Sequence, residues 1–172
     1  MAVLEEWSYN IVDIPAAGLH CERKASASEC EDLSNALKIP SLGRLFAKYH
    51  IVALPGGGYR LSGEIHADVV QACIVTLEPV PAHVADRFSS EFWADHAHLD
   101  SEGEKSILDG ADIEPLSNGV IDAGRIIFES LSGAIDPYPR KQGAEFDWQD
   151  PAALDLARTS PFAVLAKLKD KG

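Results

Sequence analysis

Cysteine is sparse: Cys21, Cys30 and Cys73 are the only three in 172 residues, and no two form a close pair. An odd, scattered set excludes a disulfide framework and fits reduced thiols. Long apolar runs are missing as well, since none approaches the ~20 residues of a membrane-spanning helix. The opening Met1-Ala2-Val3-Leu4-Glu5-Glu6 has no basic stretch leading into an apolar one, so no secretory leader is expected and the cytoplasm is the expected compartment. Cations are scarce too. Fifteen Lys and Arg against 27 Asp and Glu leave a formal charge of −12. Phosphate backbones are bound mainly by Lys and Arg, so the chain is poorly suited to wrapping nucleic acid and better suited to a basic protein partner. Hydrophobic content of 46% with 24% charged residues is that of a folded domain able to bury a core.

Periodicity organises the chain. Residues 7–14 alternate as a first strand, ended by Pro15-Ala16-Ala17-Gly18. A helix over 27–38 is expected next. Ser26 and Glu29, and again Ser28 and Glu31, have capping-box spacing, while Cys30, Leu33, Ala36 and Leu37 form the buried stripe before Pro40. The period then changes to two. Residues 46–54 read as a strand, Pro55-Gly56-Gly57-Gly58 as a hairpin turn, and 59–76 as the return strand. Tyr59, Leu61, Gly63, Ile65, Ala67 and Val69 share its inner face, with Arg60, Ser62, Glu64, His66 and Asp68 on the wet one. Pro79-Val80-Pro81 reads as a further turn, leading to a strand that ends near Trp93 with Val84, Phe88 and Phe92 inward. Residues 45–94 thus form an antiparallel meander. Residues 95–114 hold seven acids against Lys105 and read as an acidic loop. A helix capped by Asp122 follows, with Gly124, Ile127, Phe128, Leu131 and Ile135 on one face, until Asp136-Pro137-Tyr138-Pro139 stops it. At the C-terminal end Ser160 is an N-cap and Pro161 suits the first helical position. Phe162, Leu165, Ala166 and Leu168 make an apolar face, and Lys167, Lys169 and Lys171 sit where the helix dipole favours cations.

Candidate chemistry is thin. Pro55-Gly56-Gly57-Gly58 lacks the Lys-Ser/Thr ending and the helix of a phosphate loop, and lies between strands. Asp95-His96-Ala97-His98-Leu99-Asp100 puts imidazoles and carboxylates close together, so His96 and His98 are candidate metal ligands. His66 and Cys73, seven apart on an alternating strand, point to opposite faces, which argues against a thiol–imidazole dyad. Cys30 and Cys73 read as small buried residues. Asp136-Pro137-Tyr138-Pro139-Arg140 is rigid and presents an aromatic ring and a cation, the makings of a contact surface.

Three strings, in order, resemble one family, the bacterial and plastid YceD proteins (large ribosomal RNA subunit accumulation protein, domain of unknown function 177). The first is Gly63-Glu64-Ile65-His66-Ala67-Asp68-Val69-Val70-Gln71-Ala72-Cys73-Ile74-Val75-Thr76-Leu77-Glu78-Pro79-Val80, similar to an alphaproteobacterial variant of the family core. The second is Asp136-Pro137-Tyr138-Pro139-Arg140 after a helix. The third is the Pro-Phe-Ala-Val-Leu-Ala-x-Leu-Lys ending at 161–169. The resemblance implies a role in the synthesis, processing or stability of 23S ribosomal RNA and in large-subunit biogenesis, with no defined catalytic residue. It makes Gly63, Cys73, Thr76, Pro79, Pro137 and Pro139 structural motif positions. Many relatives carry Cys-x-x-Cys at Cys73 and a second cysteine cluster after the later helix, together like a zinc site. Here Thr76 replaces the second cysteine and residues 136–146 hold neither Cys nor His. One thiolate cannot form a four-ligand site, so the metal is expected to be lost and its cross-link replaced by Tyr138, Phe146 or Trp148 packing near Cys73.

The expectation is therefore an α+β domain over 1–148, an antiparallel sheet curled toward a barrel and packed with two or three helices, followed by a tail and helix over 149–172. The expected function is that of a non-catalytic factor without cofactor, bound to a ribosomal protein or pre-ribosomal particle and not to a membrane. Its expected contact residues are Tyr138, Arg140, Lys141, Phe162, Leu165, Lys167 and Lys169, with RNA contact limited to Arg140, Lys141 and the final lysines. Two other readings stay open at this point: a metal-dependent enzyme using residues 95–100, and a generic protein-interaction adaptor.

Overall fold

The computed structural model describes residues 4–94 and 112–145. The chain divides into two compact units, residues 1–141 and 142–172, and the account below concerns the first. Its frame is a five-stranded sheet in the order β2 (Leu19–Lys24), β3 (Ser41–Ala53), β4 (Tyr59–Ala72), β5 (Pro79–Trp93) and β6 (Asp112–Pro115). The meander expected at 45–94 is its centre, with β3–β4 and β4–β5 paired antiparallel along almost their full lengths. The sheet is open, with β2 and β6 as its edges. A small second sheet pairs β1 (Ser8–Asn10) with β7 (Val120–Asp122).

Two helices cover the inner face, α1 (Ala27–Leu37) against β3 and α2 (Ala123–Ala134) against β4 and β5. Alternation along the strands decides which side chains meet them. Leu45, Ala47, Tyr49 and Ile51 of β3 and Leu61, Ile65, Ala67 and Val69 of β4 are buried with Leu33, Ile127 and Leu131 of the helices. The Ser26–Glu29 capping box forms in both directions, and the other Glu29 oxygen accepts the Trp7 indole N–H at 2.8 Å. Helix entry and the N-terminal segment are thereby tied together. Asp122 caps α2 by accepting the Arg125 amide at 2.9 Å.

Several expectations needed correction. Instead of one strand over 7–14, three-residue β1 is flanked by 3₁₀ turns at Glu5–Trp7 and Ile11–Asp13. The Asn10 side chain accepts the Val12 amide and so competes with extended pairing. Strand β2 was unforeseen, because its wet side (His20, Glu22, Lys24) and its half-buried side (Leu19, Cys21, Arg23) differ little in polarity. In α1 the inward polar residue is Ser34, while Ala36 is exposed. The return strand stops at Ala72, not Thr76. The turn lies at 73–78 and Pro79-Val80-Pro81 already belongs to β5. Proline is tolerated there because β6 pairs only with Ser90–Trp93, leaving the outer side of the first half of β5 without a ladder partner among the described residues. The acidic stretch 95–114 ends in β6, which runs parallel to β5, so the sheet is mixed. Residues 95–111 lie outside the described residues.

Two glycines are explained by close approach. An added Cβ at Gly58 would lie 2.7 Å from the Trp93 indole, so the glycine turn after β3 is a seat for that ring. Gly63 faces Tyr49 across β3–β4, and a Cβ there would run into the Lys48 carbonyl and the Tyr49 side chain. Gly63→Ala is expected to destabilise the domain by about 1–3 kcal/mol, read as a lower urea midpoint at unchanged slope. An unchanged midpoint would contradict the packing described.

Candidate interaction site at the Cys73 turn

After β4 the chain turns sharply. The Leu77 amide donates to the Cys73 carbonyl at 2.9 Å and the Cys73 amide to the Glu78 carbonyl at 2.8 Å. Leu77 takes the left-handed conformation (φ 60°), a strained setting for a branched side chain. The segment after α2 lies against this turn. The Ile74 amide donates to the Pro139 carbonyl at 2.9 Å, the Gln71 side-chain amide to the Asp136 carbonyl at 2.7 Å, and the Lys141 amide to Cys73 Sγ at 3.3 Å. The Lys141 ammonium reaches Glu78 at 2.9 Å. The strings 63–80 and 136–140, distant in sequence, are therefore neighbours in space.

Cys73 is fully buried. Its sulfur also accepts the Thr76 amide at 3.5 Å. The Lys141 bond, followed by those of Thr76, holds the thiol well below its usual range, at about 6. Cys30, by contrast, is pushed up chiefly by burial. The donor set around Cys73 does not fit a four-ligand zinc site, because its neighbours are backbone amides, Thr76 and a lysine. Among the described residues no three His, Cys, Asp or Glu side chains gather as metal ligands do.

The expected cross-link is present but built otherwise than expected. Tyr138 does not pack near Cys73; it is 71% exposed, its amide held by the Asp136 side chain at 2.9 Å. Pro139 is buried instead, and backbone hydrogen bonds make the tie. Phe146 and Trp148, like His96, His98, Phe162, Leu165, Lys167 and Lys169, lie outside the described residues. Of the expected basic patch, Arg140 and Lys141 are the cations among the described residues. Glu78 pairs with Lys141, and Asp136 offsets the exposed Arg140.

What the junction presents is apolar. Three of the five exposed large hydrophobic side chains among the described residues are here: Ile74, Leu77 and Tyr138. Leu77 and Ile74 were not foreseen as contact residues, although an aliphatic residue inside a turn was a readable signal. Gln71, the polar residue in the apolar run 70–75, was another. His66 stacks on His83 with ring centroids 5.8 Å apart, well away from any pairing with Cys73 along the strand. No protein-family model, curated protein or solved structure matches the chain. No described helix is long and apolar enough to cross a membrane.

The depressed thiol has a consequence for stability. A group whose folded value lies below its unfolded one stabilises the fold fully above the unfolded value, about 8.5 for cysteine. That contribution is lost as pH falls through about 6. The gap in urea midpoint between the native chain and Cys73→Ala is expected to widen from pH 6 to pH 9. A constant gap would show that the sulfur does not carry this linkage.

Proposed function

We propose that the chain is a non-catalytic cytoplasmic factor of large-ribosomal-subunit biogenesis, acting on the synthesis, processing or stability of 23S ribosomal RNA through a protein contact. The observation that carries this reading is the meeting of two of the three YceD-like strings. Three amide hydrogen bonds and the Lys141–Glu78 ion pair join the end of β4 and the Cys73 turn to the 136–141 segment, the two stretches where the resemblance would put cysteine clusters. Strings distant along the chain that meet in space form one surface, and that supports the reading more than their order alone.

Ile74, Leu77 and Tyr138 are the anchors of the contact, with Arg140 at the rim. Aromatic and aliphatic anchors ringed by polar groups suit a protein partner better than a phosphate backbone. The charge of −12 favours a basic ribosomal protein and speeds its encounter. On this reading the contact works without a cofactor, and the closure of the turn by its own amides supports that.

Depletion in the cells that make the protein is expected to lower the ratio of large to small ribosomal RNA, and the native chain to restore it. The double variant Leu77→Ser/Tyr138→Ser changes exposed residues, so it is expected to fold normally and fail to restore the ratio. An unchanged ratio after depletion would remove the ribosomal reading. Full rescue by the double variant would remove the assigned contact surface.

A further inference from the structure

We infer that the open face of the five-stranded sheet is a platform for single-stranded RNA. The choice of RNA as the nucleic acid rests on the ribosomal reading; the location does not. Both helices pack on the opposite face, and no described element covers this one. The strand registers lay its side chains out in rows. His20, His50, Ser62 and Ser89 form one; Glu22, Lys48, Glu64 and Arg87 the next; Lys24, Phe46, His66 and Ala85 the third; and Arg44, Asp68 and His83 the fourth.

Flat rings recur on it. Four of the six histidines of the chain lie here as two stacked pairs. His20–His50 has centroids 5.7 Å apart and His66–His83 5.8 Å, with ring planes within 27° and 22° of parallel. Phe46 sits directly beside His66 across β3–β4. Phe46 and His50 are four positions apart on β3, about 13 Å of strand, so the two ring sites are a few nucleotides apart. Each pair borders a shallow groove, of about 310 Å³ over His20, Lys48 and His50 and about 380 Å³ over His66 and Arg87. Planar side chains on an open antiparallel sheet are what unpaired bases stack on.

The charge of the face differs from that of the molecule. Lys24, Arg44, Lys48, Arg60 and Arg87 stand against Glu22, Glu64, Asp68 and Glu91, so one cation is in excess although the chain carries −12. Three cations pair with neighbouring acids: Arg44 with Asp68 and Lys48 with Glu22, each at 3.0 Å, and Arg60 with Glu91. Pairs of this kind at a surface are weak, so a phosphate can compete for the cation. A protein partner is the poorer fit, because a charged row crosses the centre of the face where an interface needs an apolar core.

The test is fluorescence anisotropy of a short, unstructured, labelled RNA with the full chain at low and moderate salt. Saturable binding that weakens with salt is expected, with a duplex of the same length bound more weakly. His66→Ala/His83→Ala should lower affinity about tenfold or more, as lost stacking does. Lys24→Gln/Lys48→Gln/Arg87→Gln, all at exposed positions, should flatten the salt dependence. Arg140→Gln/Lys141→Gln should bind as the native chain does. No saturable binding at low salt, equal binding of duplex, or affinity lost with Arg140 and Lys141 and kept by the sheet variants would overturn the inference. Absent binding alongside a ribosomal RNA ratio that still depends on the protein would sink this inference and leave the ribosomal reading standing.

Discussion

Three amide hydrogen bonds, with the Lys141–Glu78 ion pair beside them, hold the end of β4 and its turn to the segment after α2, and much of the molecule hangs from them. They join the end of the central strand to the exit of the helix that covers it, so α2 is fixed at both ends, by the Asp122 cap at its start and by this clasp beyond its finish. Each bond contributes only about 0.5–1.5 kcal/mol net. Leaving a donor unpaired costs more than making the bond gains, and Gln71, 6% exposed, is such a donor. The clasp also keeps Leu77 and Ile74 outward on a strained turn, where burial would otherwise be favourable. An exposed leucine gains the fold nothing by itself.

The two faces of the sheet are different surfaces made by one period of two. Inward positions hold the aliphatic residues that meet α1 and α2. Outward positions hold imidazoles, alternating charges and one phenylalanine. Among the described residues the acidic excess therefore lies off the sheet's open face. A molecule of strong negative charge can in this way carry a nearly neutral sheet face and a separate apolar junction.

Legibility followed the strength of local signals. The β3–β4–β5 meander was readable because its inner residues alternate cleanly, and α1 and α2 because Ser26, Glu29 and Asp122 mark their starts. The burial of Cys73 was readable from the apolar run around it. Strand β2 was not, since Arg23 and Cys21 give its inner side no apolar contrast. The parallel β5–β6 pairing was not, because a four-residue strand with two acids looks like loop until a neighbouring edge receives it. Pro79 and Pro81 were misplaced because proline signals a turn locally, whereas here the missing donors face an unpaired edge. At the site, Tyr138 was one of three aromatic residues expected to replace a lost metal cross-link, but the place beside Cys73 is taken by backbone amides and Pro139. That substitution depends on distant segments meeting, which spacing along a chain does not reveal.

The clasp is closed by the chain's own amides. Amide hydrogen exchange at Ile74, Thr76 and Lys141, followed by NMR with a strong chelator present, tests it most directly. The account predicts that all three are protected and exchange no faster than they do without chelator. Exchange at the rate of solvent-exposed amides, or protection that disappears when metal is stripped, would contradict it.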